Sequence, residues 1–304
     1  GGCDRDIVDL SSFYYFETAS QDPQRQTEVA AIWLLGANHN FFNAALDQDD
    51  YYRQADHAAL CNPQRSQQRL SRVAQENFLI QYVRAFLEVR LGAMPSSATL
   101  DQLGLDPNRP APSRVFDLPV LTNLAVPAGQ RYTVFDARTA DSVPRPTASN
   151  LVVERCQSFS LCSDGPRPQP QFPAILRVHW QAPAASLRWS MPQPDMSRFR
   201  SLQIRMAVAP ASPSPPLGFA VILHDRQGQS VRVEIPATTP ALYRFETSDG
   251  EAAGGPPVYP TALRIPLAQF HGIDLTALTA VELSWSASLG GTADLATLEF
   301  VGHP

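Results

Sequence analysis

Beyond residue 113, three segments place their apolar residues on every second position, and this restricts what the chain can build. Leu202-Gln-Ile204-Arg-Met206-Ala-Val208 alternates strictly, as do Val231-Arg-Val233-Glu-Ile235 and Val281-Glu-Leu283-Ser-Trp285. Successive side chains of a strand point to opposite faces, so each segment predicts a strand with one buried face. Phe219 to Leu223 and Val231 to Ile235 flank His224-Asp-Arg-Gln-Gly228-Gln, which predicts a hairpin. Pro-rich stretches at 209–216 and 255–260 separate strands. Residues 113–304 are therefore expected to form an all-β sandwich of jelly-roll type, with no long helix. Leu202, Ile204, Leu283 and Trp285 are its expected core, and Arg200, Arg205 and Arg232 are expected to point to solvent.

The first 92 residues read differently. Asp9 to Ala19 predicts a short helix with Asp9 as N-cap. Val29-Ala-Ala-Ile-Trp-Leu-Leu35, ended by Gly36, is a continuous apolar run of the kind found in a parallel strand covered on both faces. Ser66 to Leu91 predicts a helix with Leu79, Ile80, Val83, Phe86 and Leu87 as its buried face and Gly92 as its stop. Residues 1–92 thus read as α/β, residues 93–112 as a linker rich in Pro, Ser and Asp, and residues 113–304 as the sandwich.

Composition removes several classes of function. All 24 basic residues are Arg, so chemistry that requires a lysine (Schiff bases, pyridoxal, phosphate-loop lysines) is excluded. A net charge of −5 without a basic cluster gives no nucleic-acid footprint. No apolar run reaches the length of a transmembrane helix. Gly1-Gly2-Cys3-Asp4 resembles neither an initiator nor a signal peptide, and reads as the start of a segment cut from something longer. The four cysteines form no CxxC and have no histidine at zinc-ligand spacing, so no metal or other cofactor is expected. Cys3 with Cys61 and Cys156 with Cys162 are the natural disulfide pairs, which implies an oxidising compartment: secreted, cell-surface or periplasmic. Asp47-Gln-Asp49-Asp50 reads as a solvated acidic loop rather than a calcium site. His57, His179, His224, His271 and His303 show no partner pattern.

Two segments carry a chemical signal. Gly1-Gly2-Cys3-Asp4-Arg5-Asp6-Ile7 precedes the first helix, and Gly36-Ala37-Asn38-His39-Asn40-Phe41-Phe42 directly follows the apolar run. GGCDRDIVDL followed by LLGANHNFFN resembles the acid and histidine segments of secreted bacterial α/β-hydrolases of the lipase, cutinase and polyester-hydrolase group, over about residues 1–92. The resemblance implies the last part of such a domain, with Asp4 (Asp6 as rival) as triad acid and His39 as base. It also implies a Cys3–Cys61 bridge that holds the acid loop against the loop after His39. No G-x-S-x-G occurs in the chain, so the nucleophile is expected from an N-terminal half, on a separate chain or a precursor segment.

Leu263-Arg-Ile-Pro-Leu267, Phe270, Ile273-Asp-Leu275, the strand through Trp285, and Leu295 to Phe300 resemble the closing strands of galactose-binding-like jelly rolls. That resemblance implies a possible glycan or polymer ligand. Trp180, Trp189 and Trp285 lie on alternating strands and read as core rather than as sugar platforms. Two functions remain open: part of a secreted serine hydrolase acting on carboxylic esters, or a non-catalytic glycan-binding or assembly protein with a hydrolase-derived remnant.

Overall fold

The computed structural model describes residues 3, 11–49, 61, 69–92, 96–139, 145–156, 174–181, 183–192, 195–208, 218–243, 259–285 and 290–302. Asp4, Asp6, Asp9, Asp50, His57, Cys162 and His303 lie outside the described residues, as do 209–216 and 255–258. Three helices open the chain: α1 (Ser11–Gln21), α2 (Arg72–Leu91) and α3 (Ser97–Gln102). Strand β1 (Val29–Leu34) lies between the first two. After them come β2 (Arg114–Val115), β3 (Leu118–Ala125), β4 (Arg131–Asp136), β5 (Thr147–Ser149), β6 (Leu151–Cys156), β7 (Ile175–Trp180) and β8 (Ala185–Ser190). The chain closes with β9 (Ser201–Val208), β10 (Phe219–Asp225), β11 (Ser230–Ile235), β12 (Thr261–Pro266), β13 (Leu278–Trp285) and β14 (Gly291–Val301).

The alternating half forms a sandwich of two antiparallel sheets. One has the order β11-β10-β13-β8-β5; the other runs β12-β9-β14-β7-β6, with β4 also paired to β14. Their facing residues make one core in which Leu202, Ile204, Leu283 and Trp285 are all buried, as the alternation predicts. The three tryptophans are core as well: Trp180 stacks on Trp285 at 4.8 Å between centroids, and Trp189 packs on Phe135. The expected hairpin is β10–β11, with Gly228 at φ 83° in its turn. A side chain is strained at that φ, and glycine is not.

The N-terminal part departs from expectation. β1 is not in a parallel sheet; it pairs antiparallel with β3, from Val29 opposite Ala125 to Leu34 opposite Val120. The expected linker contains α3 and the fully buried Leu103 and Leu105. Ser96 stands at the N-cap of α3 and Gly104, at φ 74°, follows its end, while Leu103 and Leu105 keep the segment in the core.

Helix α2 ends at Gly92, as expected, because a Cβ at that position would meet the Glu88 carbonyl oxygen at 2.2 Å. Its N-cap is Ser71, whose hydroxyl accepts from the Ala74 N–H at 3.2 Å. The face expected to be buried is not. Leu79, Ile80, Val83 and Leu87 are exposed, while Gln75, Phe78 and Val89 are buried and Tyr82 and Phe86 pack against the same core. Apolar residues cover more than one face of this helix, so periodicity alone did not choose between them.

Candidate functional site

Two places can do chemistry, and the layer between them explains which one is accessible. α1, β1 and β3 cover the part of the six-stranded sheet formed by β9, β12 and β14, which are buried on both faces, while β6 at the far edge keeps exposed residues. The polar residues that alternate with their core residues therefore enter an interface instead of water. Arg205, expected in solvent, is 4% exposed. Its Nε donates to Asn123 Oδ1 at 3.1 Å, its Nη2 donates to Tyr259 Oη at 3.0 Å, and it pairs with Glu17 of α1, which is fully buried. The Tyr259 hydroxyl also donates to Glu17. Burial lowers the Arg205 pKa, but Glu17, Tyr259 and Glu299 together outweigh it and hold the guanidinium above its ordinary value. Burial pushes the Tyr259 hydroxyl well above its usual range. Phe13 of α1 stacks on Tyr259, and Phe16 lies under the Arg205 guanidinium.

Arg264, on β12, is the second buried arginine. It donates to the carbonyls of Gly104 and Arg109 at 2.9 Å each, in the turns that follow α3. Burial lowers its pKa to about 10, against the fields of Asp106 and Asp101. Both arginines are held by the fold, and neither reaches solvent.

The turn after β1 is the first candidate site. Gly36 adopts φ 75°, and its carbonyl accepts from Leu70 N–H and Arg69 Nη1 at 3.0 Å each. Ala37 O accepts from the Cys3 N–H at 2.7 Å, and buried Asn38 caps the next turn by accepting from Phe41 N–H at 2.9 Å. Cys3 is bonded to Cys61, closing a separation of 58 residues; by loop entropy this contributes on the order of 4 kcal/mol. His39 is thus part-buried on a tightly held turn at the end of β1, with the chain segment at Cys3 seated beside it. Neither Asp4 nor Asp6 is among the described residues, so their distance from His39 is not part of this geometry. Cys156 is also disulfide-bonded, and Cys162 lies outside the described residues. In the acidic loop, Asp49 pairs with Arg69. Among the described residues, no group of three His, Cys, Asp or Glu stands close enough to hold a metal.

The second candidate is the outward face of the five-stranded sheet. Strand register aligns Arg232, Ile222, Glu282, Arg188 and Thr147 in one row. Glu234, Ala220, Ser284, Ser186 and Ser149 make the next. His224 Nε2 lies 3.1 Å from Glu282 Oε2, and its Nδ1 lies 2.7 Å from Ser230 Oγ. Arg232 pairs with Glu234 and reaches Ser284 Oγ at 3.5 Å. Burial lowers the His224 pKa, aided by the Arg188 guanidinium and opposed by Glu282. No Phe, Tyr or Trp stands among the outward-facing described residues of this sheet. No partner pattern for His224 is visible in the sequence, and neither Arg188 nor Glu282 stands out there. Their signal is cross-strand register, which no single strand contains.

No family model matches the chain, and neither does any curated protein. Among solved structures, it is similar to a family 11 carbohydrate-binding module from Clostridium thermocellum in complex with a β-1,3-1,4-mixed-linked tetrasaccharide, at 9% identity and TM-score 0.38, covering 57% of this chain and 96% of that one. A β-1,3-glucan-binding family 6 module from Bacillus halodurans is similar at 10% identity and TM-score 0.29, covering 57% and 95%. An exo-β-agarase is similar at 15% identity and TM-score 0.34, covering 58% of this chain and 25% of that one.

Proposed function

We propose that this protein is a secreted, non-catalytic carbohydrate-binding domain whose ligand lies across the outward face of the five-stranded sheet. One observation carries the reading: the outward side of β9, β12 and β14 in the six-stranded sheet is closed by the N-terminal layer, whereas the five-stranded sheet presents guanidinium, carboxylate, imidazole and hydroxyl groups on its outward face. Such groups pair with sugar hydroxyls, and with no Phe, Tyr or Trp among the described residues of the face, recognition runs through hydrogen bonds and charge. The jelly-roll resemblance of residues 260–301 and the disulfide support a ligand-binding module outside the cell. Affinity electrophoresis and calorimetry against a panel of neutral and acidic polysaccharides test the proposal. Retention on at least one polymer, reduced by the paired substitution Arg188→Ala and Glu282→Ala, is expected. Absence of retention on every polymer overturns it.

A second reading keeps the hydrolase resemblance, and the surface of α2 favours it. Leu79, Ile80, Val83, Leu87 and Leu91 are exposed on one helix, and β1 pairs with no described strand on its other edge. A helix apolar on both sides belongs between two layers. In this reading a partner polypeptide covers α2 and supplies the serine opposite His39. A fluorophosphonate probe should then label a polypeptide that co-purifies with this chain, and His39→Ala should abolish that labelling while binding persists. Labelling unchanged by His39→Ala removes the reading.

A further inference from the structure

The open face also indicates the charge of its ligand, an inference that rests on the carbohydrate-binding reading of the same site. Its ionisable groups are largely paired among themselves. Glu282 is taken by His224, and Glu234 by Arg232. Arg188, on β8 between Glu282 and Thr147 in the row, is exposed and has neither ion pair nor hydrogen bond among the described residues. Its cross-strand neighbour Glu282 is turned to the imidazole instead. Beside it in the adjoining row lie the hydroxyls of Ser186 and Ser149, with Ser284 one strand further.

A guanidinium offers a planar fork of donors that matches a carboxylate or a sulfate two bonds at a time, and it has no acceptor to offer a neutral sugar. Serine hydroxyls both donate and accept, as sugar hydroxyls require. We infer that the face binds an anionic polysaccharide, with Arg188 holding a carboxylate or sulfate group of one sugar residue and the serine row holding hydroxyls of the same or the next. The chain as a whole carries −5, so a polyanion is not attracted to it in general. Binding has to come from this local arrangement, and polyanion binding spread over the surface is disfavoured.

The test compares polymers that share a backbone and differ in charge. Polygalacturonate is set against its fully methyl-esterified form, and a sulfated galactan against unsulfated agarose, with the full chain in calorimetry. At least tenfold tighter binding to a charged member is expected, and which pair shows it distinguishes carboxylate from sulfate. Arg188→Gln should remove the preference, and Arg188→Lys should restore only part of it, because a lysine cannot make the paired contact. Ser186→Ala should weaken the charged and uncharged members alike. Equal binding of charged and uncharged members, unaffected by Arg188→Gln, overturns the charge inference and leaves the carbohydrate reading standing. No binding to any of the four polymers overturns both.

Discussion

The two outward faces of the sandwich are built from the same alternating pattern and end in opposite conditions. On the six-stranded sheet, polar positions such as Gln203, Arg205, Arg264 and Glu299 are buried under the N-terminal layer. On the five-stranded sheet, the equivalent positions Arg188, Ser190, Arg232 and Glu234 stay in water. What separates them is partner chemistry supplied from elsewhere in the chain. Glu17, Asn123, Tyr259 and the carbonyls of Gly104 and Arg109 meet the buried arginines, whereas the contacts described on the open face run mainly between its own side chains. A polar strand face is therefore not evidence of solvent; a buried one requires a matched layer above it.

The strongest way to break the comparison is to remove one partner of the covered face. Arg205→Ala leaves the buried Glu17 with only Arg138, 4.0 Å away, as a cation, and should cost about 3–5 kcal/mol in denaturant unfolding. Replacing both partners with apolar residues, Arg205→Met with Glu17→Leu, should recover most of that loss. Arg264→Met is a milder change. It forfeits two hydrogen bonds to carbonyls but strands no carboxylate and removes a desolvated charge, so a loss of about 2 kcal/mol or less is expected. If the two arginine substitutions cost the same, the Glu17 ion pair is not what distinguishes them.

How much of this the sequence disclosed follows from where each signal lies. Alternation in 202–208 and 281–285 predicts both the strands and their core side, because period two is local to one strand. Whether the other side meets water is not local: Arg205 reads as solvent-facing until β3 and α1 are laid over it. β1 was recognisable as a strand from its apolar run, but its antiparallel pairing depends on β3, whose sequence lies beyond the expected linker. The Cys3–Cys61 bridge was legible from an even cysteine count. Of the candidate sites, His39 was visible in its motif. Arg188 and Glu282 were not, since they meet only through the register of β8 and β13.

Changes on the open face should be small in stability. Arg188→Gln is expected to alter unfolding by no more than about 0.5 kcal/mol, as for an exposed, unpaired side chain. The pH response should be smaller still. Burial and the Arg188 guanidinium hold the His224 pKa below 6.5, so the folded state binds fewer protons than the unfolded one as pH falls through that value. Stability attributable to His224 is therefore present above about pH 6.5 and lost in acid. Thermal unfolding at about pH 7.5 and pH 5.5 should show a smaller acid loss for His224→Gln than for the parent, and an equal loss would exclude the imidazole as the source.

Arginine footprinting tests the central contrast most directly. Brief treatment of the folded protein with phenylglyoxal, followed by peptide mass spectrometry, reads the accessibility of each guanidinium. Arg188 should label rapidly, while Arg205 and Arg264 should stay unmodified until denaturant is added. Labelling of Arg205 and Arg264 at the rate of Arg188 would contradict the account, because it would mean that the N-terminal layer does not close the face it is said to cover.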